Sequence, residues 1–144
     1  MPLEAYGPHY VSFRGEPFDA IAEMAQGWEV EYSQLDAGPN RSDLTQIQLG
    51  GVSVSWECVE RTVEASGQPP LDSLTFGLRD RRNGPWVFRG HETDADTLAV
   101  IRPDDDFDMR LRGGLLSFAV DVDLLASQLS GAALTDAMAQ SRIA

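Results

Sequence analysis

The sequence has 144 residues, 42% of them hydrophobic, and its 23 acidic residues outnumber its 11 basic ones to give a formal net charge of -12. This length allows one domain with a sizeable core and excludes a second full domain. All the basic residues are arginine, and such an acidic chain would repel nucleic acid. The nearest candidate for a basic stripe, Arg79 with Arg81 and Arg82, is interpreted as a solvated loop.

The sequence also constrains where the protein works. No apolar run approaches the roughly eighteen residues that a membrane-spanning helix needs, and the start of the chain, Met1 to Pro8, lacks the basic and apolar segments of a secretory signal. One cysteine, Cys58, excludes an internal disulfide and a cysteine-based zinc site. We therefore expect a soluble, cytoplasmic protein.

The first predicted elements are a helix and a strand. Pro17 to Gln26 has a proline at its start, apolar residues at helical spacing and Gly27 at its end, which predicts a short amphipathic helix. From Trp28 the period changes to two, because Trp28, Val30 and Tyr32 alternate with polar residues. A half-buried strand is predicted there.

A tight hairpin follows. Leu44 to Leu49 and Val52 to Cys58 flank Gly50-Gly51, which is typical of a two-residue turn. The register pairs apolar residues with one another on one face, namely Leu49 with Val52, Ile47 with Val54, and Thr45 with Trp56. The other face carries Gln46, Gln48, Ser53 and Ser55. We expect the apolar face to point inward and, from the phase shift to Val59 and Val63, a bulge near Cys58.

Later strands are indicated by alternation between turn residues. They are predicted at Leu74 to Leu78, around Trp86 and Phe88, and at Thr97 to Ile101. A second two-residue turn at Gly113-Gly114 is predicted to join two further strands, Phe107 to Arg112 and Leu115 to Val120. It would pair Leu111 with Leu116, Met109 with Phe118 and Phe107 with Val120.

The chain ends in helical patterns. Asp121 can cap a helix containing Val122, Leu125 and Leu129, and Leu134 to Gln140 forms a second helical stretch. About eight strands with helices only at the two ends predict a mainly β fold, a closed or sandwiched antiparallel sheet.

No residue cluster predicts catalysis, a metal or a cofactor. His9 and His91 have no partner histidine at ligand spacing. Asp104 to Asp108 lacks the glycine and distal glutamate of a calcium loop and is interpreted as a solvated acidic turn. Cys58 is interpreted as a buried structural residue. We therefore expect a protein that is not an enzyme.

Several short phrases resemble the N-terminal regulatory half of AraC-type transcription regulators. They are Phe18 to Trp28, Gln34 to Pro39, Leu44 to Gly50, Leu74 to Leu78, and Asp96 to Pro103. The resemblance covers residues 10–129. It implies a single domain over residues 1–144, a cupin-like double-stranded β-barrel with a core at 10–129, and a linker or the start of a dimerisation helix at 130–144.

The resemblance also implies a function. Such domains sense a small effector, form homodimers and control an attached DNA-binding module, and nothing after Leu129 is long or basic enough to supply that module. Metal-dependent cupins place a histidine where this sequence has Pro103 to Asp108, so the resemblance favours a sensor. If a pocket exists, we expect its wall and mouth to consist of Trp56, Phe76, Trp86, Phe88, Arg89 and His91.

Two alternatives remain open from the sequence. The first is a stand-alone cupin-like enzyme or binding protein that acts on a small metabolite, with His91, Glu92 or Asp106 as acid or base. The second is a purely structural pairing module whose interior is filled by its own aromatic side chains.

Overall fold

The computed structural model describes residues 8–15, 27–139 and 142–143. The predicted helix at Pro17 to Gln26 lies outside the described residues. The described part is mainly β, as predicted, and its strands pair only in antiparallel fashion. None of its helices is long and apolar enough to cross a membrane.

The described strands, in chain order, are β1 (His9–Gly15), β2 (Glu29–Gln34), β3 (Ser42–Leu49), β4 (Val52–Gln68), β5 (Ser73–Arg79), β6 (Trp86–Phe88), β7 (His91–Thr93), β8 (Leu98–Ile101), β9 (Phe107–Asp121) and β10 (Arg142–Ile143). A 3-10 turn at Arg81–Asn83 follows β5. The helices are α1 (Val122–Gln128) and α2 (Gly131–Ala139), close to their predicted positions. Asp121 occupies the N-cap position of α1 without a capping hydrogen bond from its side chain.

Two long strands organise the sheet. β4 and β9 pair along most of their lengths, with a register shift between Val59 and Val63. The first half of β4 and the second half of β9 belong to the order β1-β3-β4-β9-β5-β8-β10. The second half of β4 also pairs with β2, and the first half of β9 also pairs with β6, which in turn pairs with β7. The irregularity therefore divides the sheet into two halves that share β4 and β9.

Among the described strands, the sheet is not closed. β1 pairs only with β3 and β10 only with β8, so the two ends of the strand order do not meet. The predicted closed barrel is therefore not formed by these strands. Instead, inward side chains of both halves meet in one apolar core, which includes Leu44, Val63, Phe88, Phe107 and Leu115.

The hairpin at Gly50-Gly51 has the predicted register, since Leu49 faces Val52, Ile47 faces Val54 and Thr45 faces Trp56. Its predicted orientation was wrong. The polar residues Gln46, Gln48 and Ser53 are 0%, 1% and 1% exposed, whereas Ile47 and Leu49 are 53% and 69% exposed. The hairpin turns its polar face inward.

The phase shift near Cys58 explains this inversion. The bulge lies after Val59, between Val59 and Val63, so the backbone alternates regularly from Val52 to Val59. Trp56 and Val59 therefore point to opposite faces, and Val59 is the one in the core. Cys58 shares the outward face with Trp56 and is only half-buried.

The second predicted hairpin was also wrong. β9 runs through Gly113 and Gly114 without turning, and these residues face Val59 and Cys58 of β4. The glycines allow close packing instead of a turn: a Cβ atom at Gly113 would lie 2.3 Å from Asn83 Cγ, and one at Gly114 would lie 2.5 Å from Trp56 Cη2. Gly113 also has a positive φ of 87°.

Candidate functional site

The inner face of the β3-β4-β9-β5 region is unusually polar for the inside of a sheet. Rows of residues that face one another across the strands carry amide and hydroxyl groups, and they are Gln46, Gln48, Ser53, Ser55, Ser73, Thr75 and Ser117. Burying such groups is costly unless they form hydrogen bonds. Gln46 Nε2 donates to Ser53 Oγ at 3.4 Å, and His9 Nε2 lies 3.2 Å from Gln46 Oε1.

An interior cavity opens where this polar face meets the apolar core. Among the described residues it is lined by Trp28, Val30, Tyr32, Leu44, Ser55, Glu57, Phe107, Met109 and Ser117. Its volume is about 30 Å³, which holds roughly two water molecules. A larger molecule enters only if a lining side chain moves, and the unbranched Met109 has the freedom to do so.

β2 and β4 place the two titratable groups of this cavity. Tyr32 is on the inward side of β2, and Glu57 follows Ser53 and Ser55 on the inward side of β4. The Tyr32 hydroxyl donates to Glu57 Oε2 at 2.8 Å. The pair joins two strands that are not neighbours at this level of the sheet.

Burial changes the acidity of both groups. Burial raises the pKa of Glu57 above its usual value, and the Tyr32 hydrogen bond opposes that rise. The pKa of Tyr32 is raised well above its usual range, first by burial and then by the negative charge of Glu57. No basic side chain forms an ion pair with Glu57 among the described residues. The cavity therefore holds a carboxyl group whose charge has no counter-ion there.

Aromatic side chains form much of the remaining wall. The Trp28 and Phe107 rings pack edge to face with their centroids 6.0 Å apart. The cavity thus combines flat apolar surface with a few hydrogen-bonding groups, Ser55, Glu57 and Ser117, a composition typical of small-molecule sites.

The six residues predicted to line a pocket lie in three different places. Trp86 and Phe88 are buried in the core, 3% and 2% exposed, with ring centroids 5.5 Å apart. Trp56 and Phe76 are on the outward face of the sheet, because the predicted orientation was inverted. None of the six lines the interior cavity among its described residues.

Arg89 and His91 follow Phe88, at the turn that joins β6 to β7. The Arg89 guanidinium lies 5.4 Å from the centroid of the Phe88 ring and donates to the Asp106 backbone oxygen at 2.7 Å. His91 is exposed on β7. Their predicted role in binding stays a prediction.

The groups considered for acid-base chemistry are also at the surface. His91 and Glu92 are neighbours on β7 and both are exposed, and Asp106 accepts a hydrogen bond from Gln68 Nε2 at 2.8 Å. In the acidic turn, Asp105 pairs with Arg102 at 2.8 Å. The described residues contain no cluster of three or more potential metal ligands.

Sequence reasoning missed Tyr32 and Glu57 as site residues. Tyr32 was placed correctly on an inward face, but Glu57 belongs to the face that was expected to point to solvent. The sequence did contain a signal for the other face. Val59 lies on the same side of β4 as Glu57 and opposite to Val54, so the apolar residues of this strand left two possible inner faces.

Comparison with known proteins gives a fold likeness. No protein-family model matches the sequence, and no curated protein matches it. The chain is similar in structure to the AraC-like transcriptional activator CuxR, whose crystal structure aligns with a TM-score of 0.60 at 18% sequence identity. The alignment covers 83% of this chain and 49% of that chain, so this chain spans about half the length of CuxR. Over most of its length, this chain therefore shares the fold of part of that protein.

Proposed function

We propose that this chain is the effector-sensing and dimerising domain of an AraC-type transcription regulator and controls a DNA-binding module in the same protein. The proposal is supported by the likeness to CuxR and by the resemblance of the sequence phrases to that family. It places the protein in the cytoplasm and assigns no catalytic step, metal or cofactor to the chain.

The observation that carries the sensing role is the interior cavity with its half-buried Glu57-Tyr32 pair. An apolar interior would give a more favourable free energy of folding, because each buried polar group loses its hydration. Ser55, Glu57 and Ser117 all line the interior cavity, so they could form hydrogen bonds to a bound ligand. Glu57 and Tyr32 would fix the ligand's orientation, and Trp28, Phe107 and Met109 would cover its apolar surface.

A thermal-shift screen against small metabolites tests this role. A ligand that binds only the folded protein at 100 times its Kd stabilises it by about 2.7 kcal/mol. We expect at least one compound to raise the Tm of the wild type and of Glu31→Gln, an exposed control on β2, but to stabilise Glu57→Gln less. The absence of any stabilising compound, or equal stabilisation of Glu57→Gln, would contradict the assignment of this cavity.

The dimerising role is supported by the opposite face of the same strands. We define the outer apolar face as Tyr10, Ile47, Leu49, Val52, Val54, Trp56, Phe76, Leu78, Leu116, Phe118 and Val120, which the strand register places side by side. Among the residues that the structure describes, no charged side chain interrupts this face. Tyr10 and Leu49 are 66% and 69% exposed, and exposure falls toward β5 and β8, where Leu74 and Val100 are buried.

A second copy of the chain is the occupant that fits this face. The face crosses five strands spaced about 4.8 Å apart, and two copies in contact would bury on the order of 1,000 Å², which reaches the size of a specific interface. Apolar patches of this extent on soluble proteins mark interaction sites. Because the chain carries a net charge of -12, copies of it repel at long range, and an uncharged face is where they can meet.

A further inference from the structure

A second cavity lies at the edge of β9, where that strand changes its neighbour. β6 pairs with β9 at Met109 and Arg110, and β5 pairs with it from Leu115 onward. Between these positions neither strand covers that edge. The edge cavity in this gap has a volume of about 200 Å³ and is lined, among the described residues, by Thr62, Arg79, Pro85, Trp86, Val87, Glu92, Arg110, Leu111 and Arg112.

Two buried residues of this lining carry hydrogen-bond donors with no acceptor. Arg79 is 4% exposed and Trp86 is 3% exposed. Arg79 donates from Nε to the Gly84 oxygen at 3.2 Å and from Nη2 to the Asn83 oxygen at 3.1 Å, but its Nη1 has no partner. Trp86 Nε1 has none either. Leaving buried donors unsatisfied costs free energy, so an acceptor group brought to either of them would offset that cost.

The charges around the cavity favour an anion. Arg79, Arg110 and Arg112 line it against one carboxylate, Glu92. Burial is the largest influence on Arg79 and lowers the pKa of its guanidinium, and the negative charge of Asp80 opposes this only in part. This clustering is notable in a chain that carries only 11 basic residues and a net charge of -12.

The neighbouring acidic groups are already engaged. Asp80 follows Arg79 directly, but its carboxylate accepts from Arg82 Nη2 at 2.7 Å and from the Arg82 backbone N–H at 2.9 Å. Glu64 Oε2 is 3.7 Å from Arg110 Nη2, a loose contact between half-exposed side chains. An incoming oxyanion can displace such a contact at little cost.

We infer that the edge cavity is a binding site for the oxyanion group of a small ligand, a carboxylate or a phosphate, held by Arg79 and Trp86 inside and by Arg110 and Arg112 at the rim. Guanidinium groups match both oxyanions in shape and charge. The Trp86 indole and the Thr62 hydroxyl supply neutral donors. This site is separate from the interior cavity, so its failure would leave the proposed effector site untouched.

The indole N–H resonances provide a direct test, because the chain has three tryptophans. The ¹⁵N-labelled full chain is titrated with sodium phosphate, with sodium acetate, and with sodium chloride at matched ionic strength. We expect phosphate, acetate or both to shift the Trp86 indole resonance in a saturable way, while the Trp28 and Trp56 resonances follow the chloride control. The anion that saturates at the lower concentration identifies the preferred oxyanion.

Two surface variants complete the test without disturbing the core. Arg110→Gln removes a rim charge and should weaken the anion's affinity by roughly fivefold. Arg102→Gln, which removes an exposed arginine paired with Asp105 away from this lining, should leave the affinity unchanged. The inference is wrong if the Trp86 resonance moves no more than in chloride, if all three indoles move together, or if the two variants weaken binding equally.

Discussion

At the scale of single residues, Glu57 is the group on which the proposed ligand site depends most. Its carboxyl group sits inside the molecule, accepts a 2.8 Å hydrogen bond from Tyr32 and has a raised pKa because it is buried. A carboxyl group in this state is neutral over a wider pH range than one at the surface. A ligand that donates a hydrogen bond or brings a positive charge would change its protonation.

This raised pKa predicts how stability depends on pH. The folded state holds the Glu57 proton more tightly than the unfolded state, so the favourable contribution is complete below the unfolded value, which is near 4.5. It is lost as pH rises through the folded pKa. The free energy of unfolding of the wild type, relative to Glu57→Gln, should therefore fall as pH rises above about 4.5 and then level off.

Urea unfolding of both proteins across pH 4 to 8 measures this difference. The lowered pKa values of Asp36 and Asp80 affect both proteins alike and cancel. A relative stability that rises with pH, or that does not change, would show that Glu57 is not buried in the way described.

The two diglycine segments show that the same residues can serve different structures. Gly50-Gly51 and Gly113-Gly114 are the same dipeptide, and both have a first residue with positive φ, 58° and 87°. The first forms a turn and the second lies within β9, where it admits the side chains of Asn83 and Trp56. The two dipeptides look alike in the sequence. The role of the second one depends on Asn83 and Trp56, which are distant in the chain, so a turn was wrongly predicted there.

At the scale of elements, the pairing of β3 with β4 was predictable, whereas the pairing of β9 and the choice of inner face were not. The register of β3 and β4 follows from the turn and the alternation, both of which are local. The choice of inner face depends on the rest of the sheet, because β4 has apolar residues on opposite sides before and after Cys58. The apolar core formed around Val59 and Val63, which left Ile47 and Val54 outside.

Two adjacent substitutions on β3 test this orientation. Gln46→Asp places a charge in the interior and should lower the free energy of unfolding by about 3 kcal/mol or more. Ile47→Asp changes an exposed residue and should lower it by less than about 1 kcal/mol. Unfolding is measured at protein concentrations where further dilution no longer shifts the midpoint. The reverse order of the two losses would mean that the hairpin faces the other way.

At the scale of the whole molecule, the sequence predicted the class but not the closure. Alternating segments and turn residues were sufficient for a mainly β fold with helices at the C-terminal end. Whether the ends of a sheet meet depends on how its strands curve, and the register shift between Val59 and Val63 has no local sequence signature beyond a change of phase. The edge cavity lies near this register shift, between the β5 and β6 partners of β9.

The inverted hairpin has its largest consequence at this scale, because it lines the cavity with polar groups and leaves part of the outer apolar face, including Tyr10, Ile47 and Leu49, exposed. Sedimentation equilibrium tests that consequence most directly. We predict that the wild type associates to twice its 15.8 kDa mass, that Ile47→Asp is monomeric, and that Leu71→Asp, which alters an exposed leucine off this face, still dimerises. A wild type that stays at 15.8 kDa at every concentration, or a dimer that survives Ile47→Asp, would contradict the account.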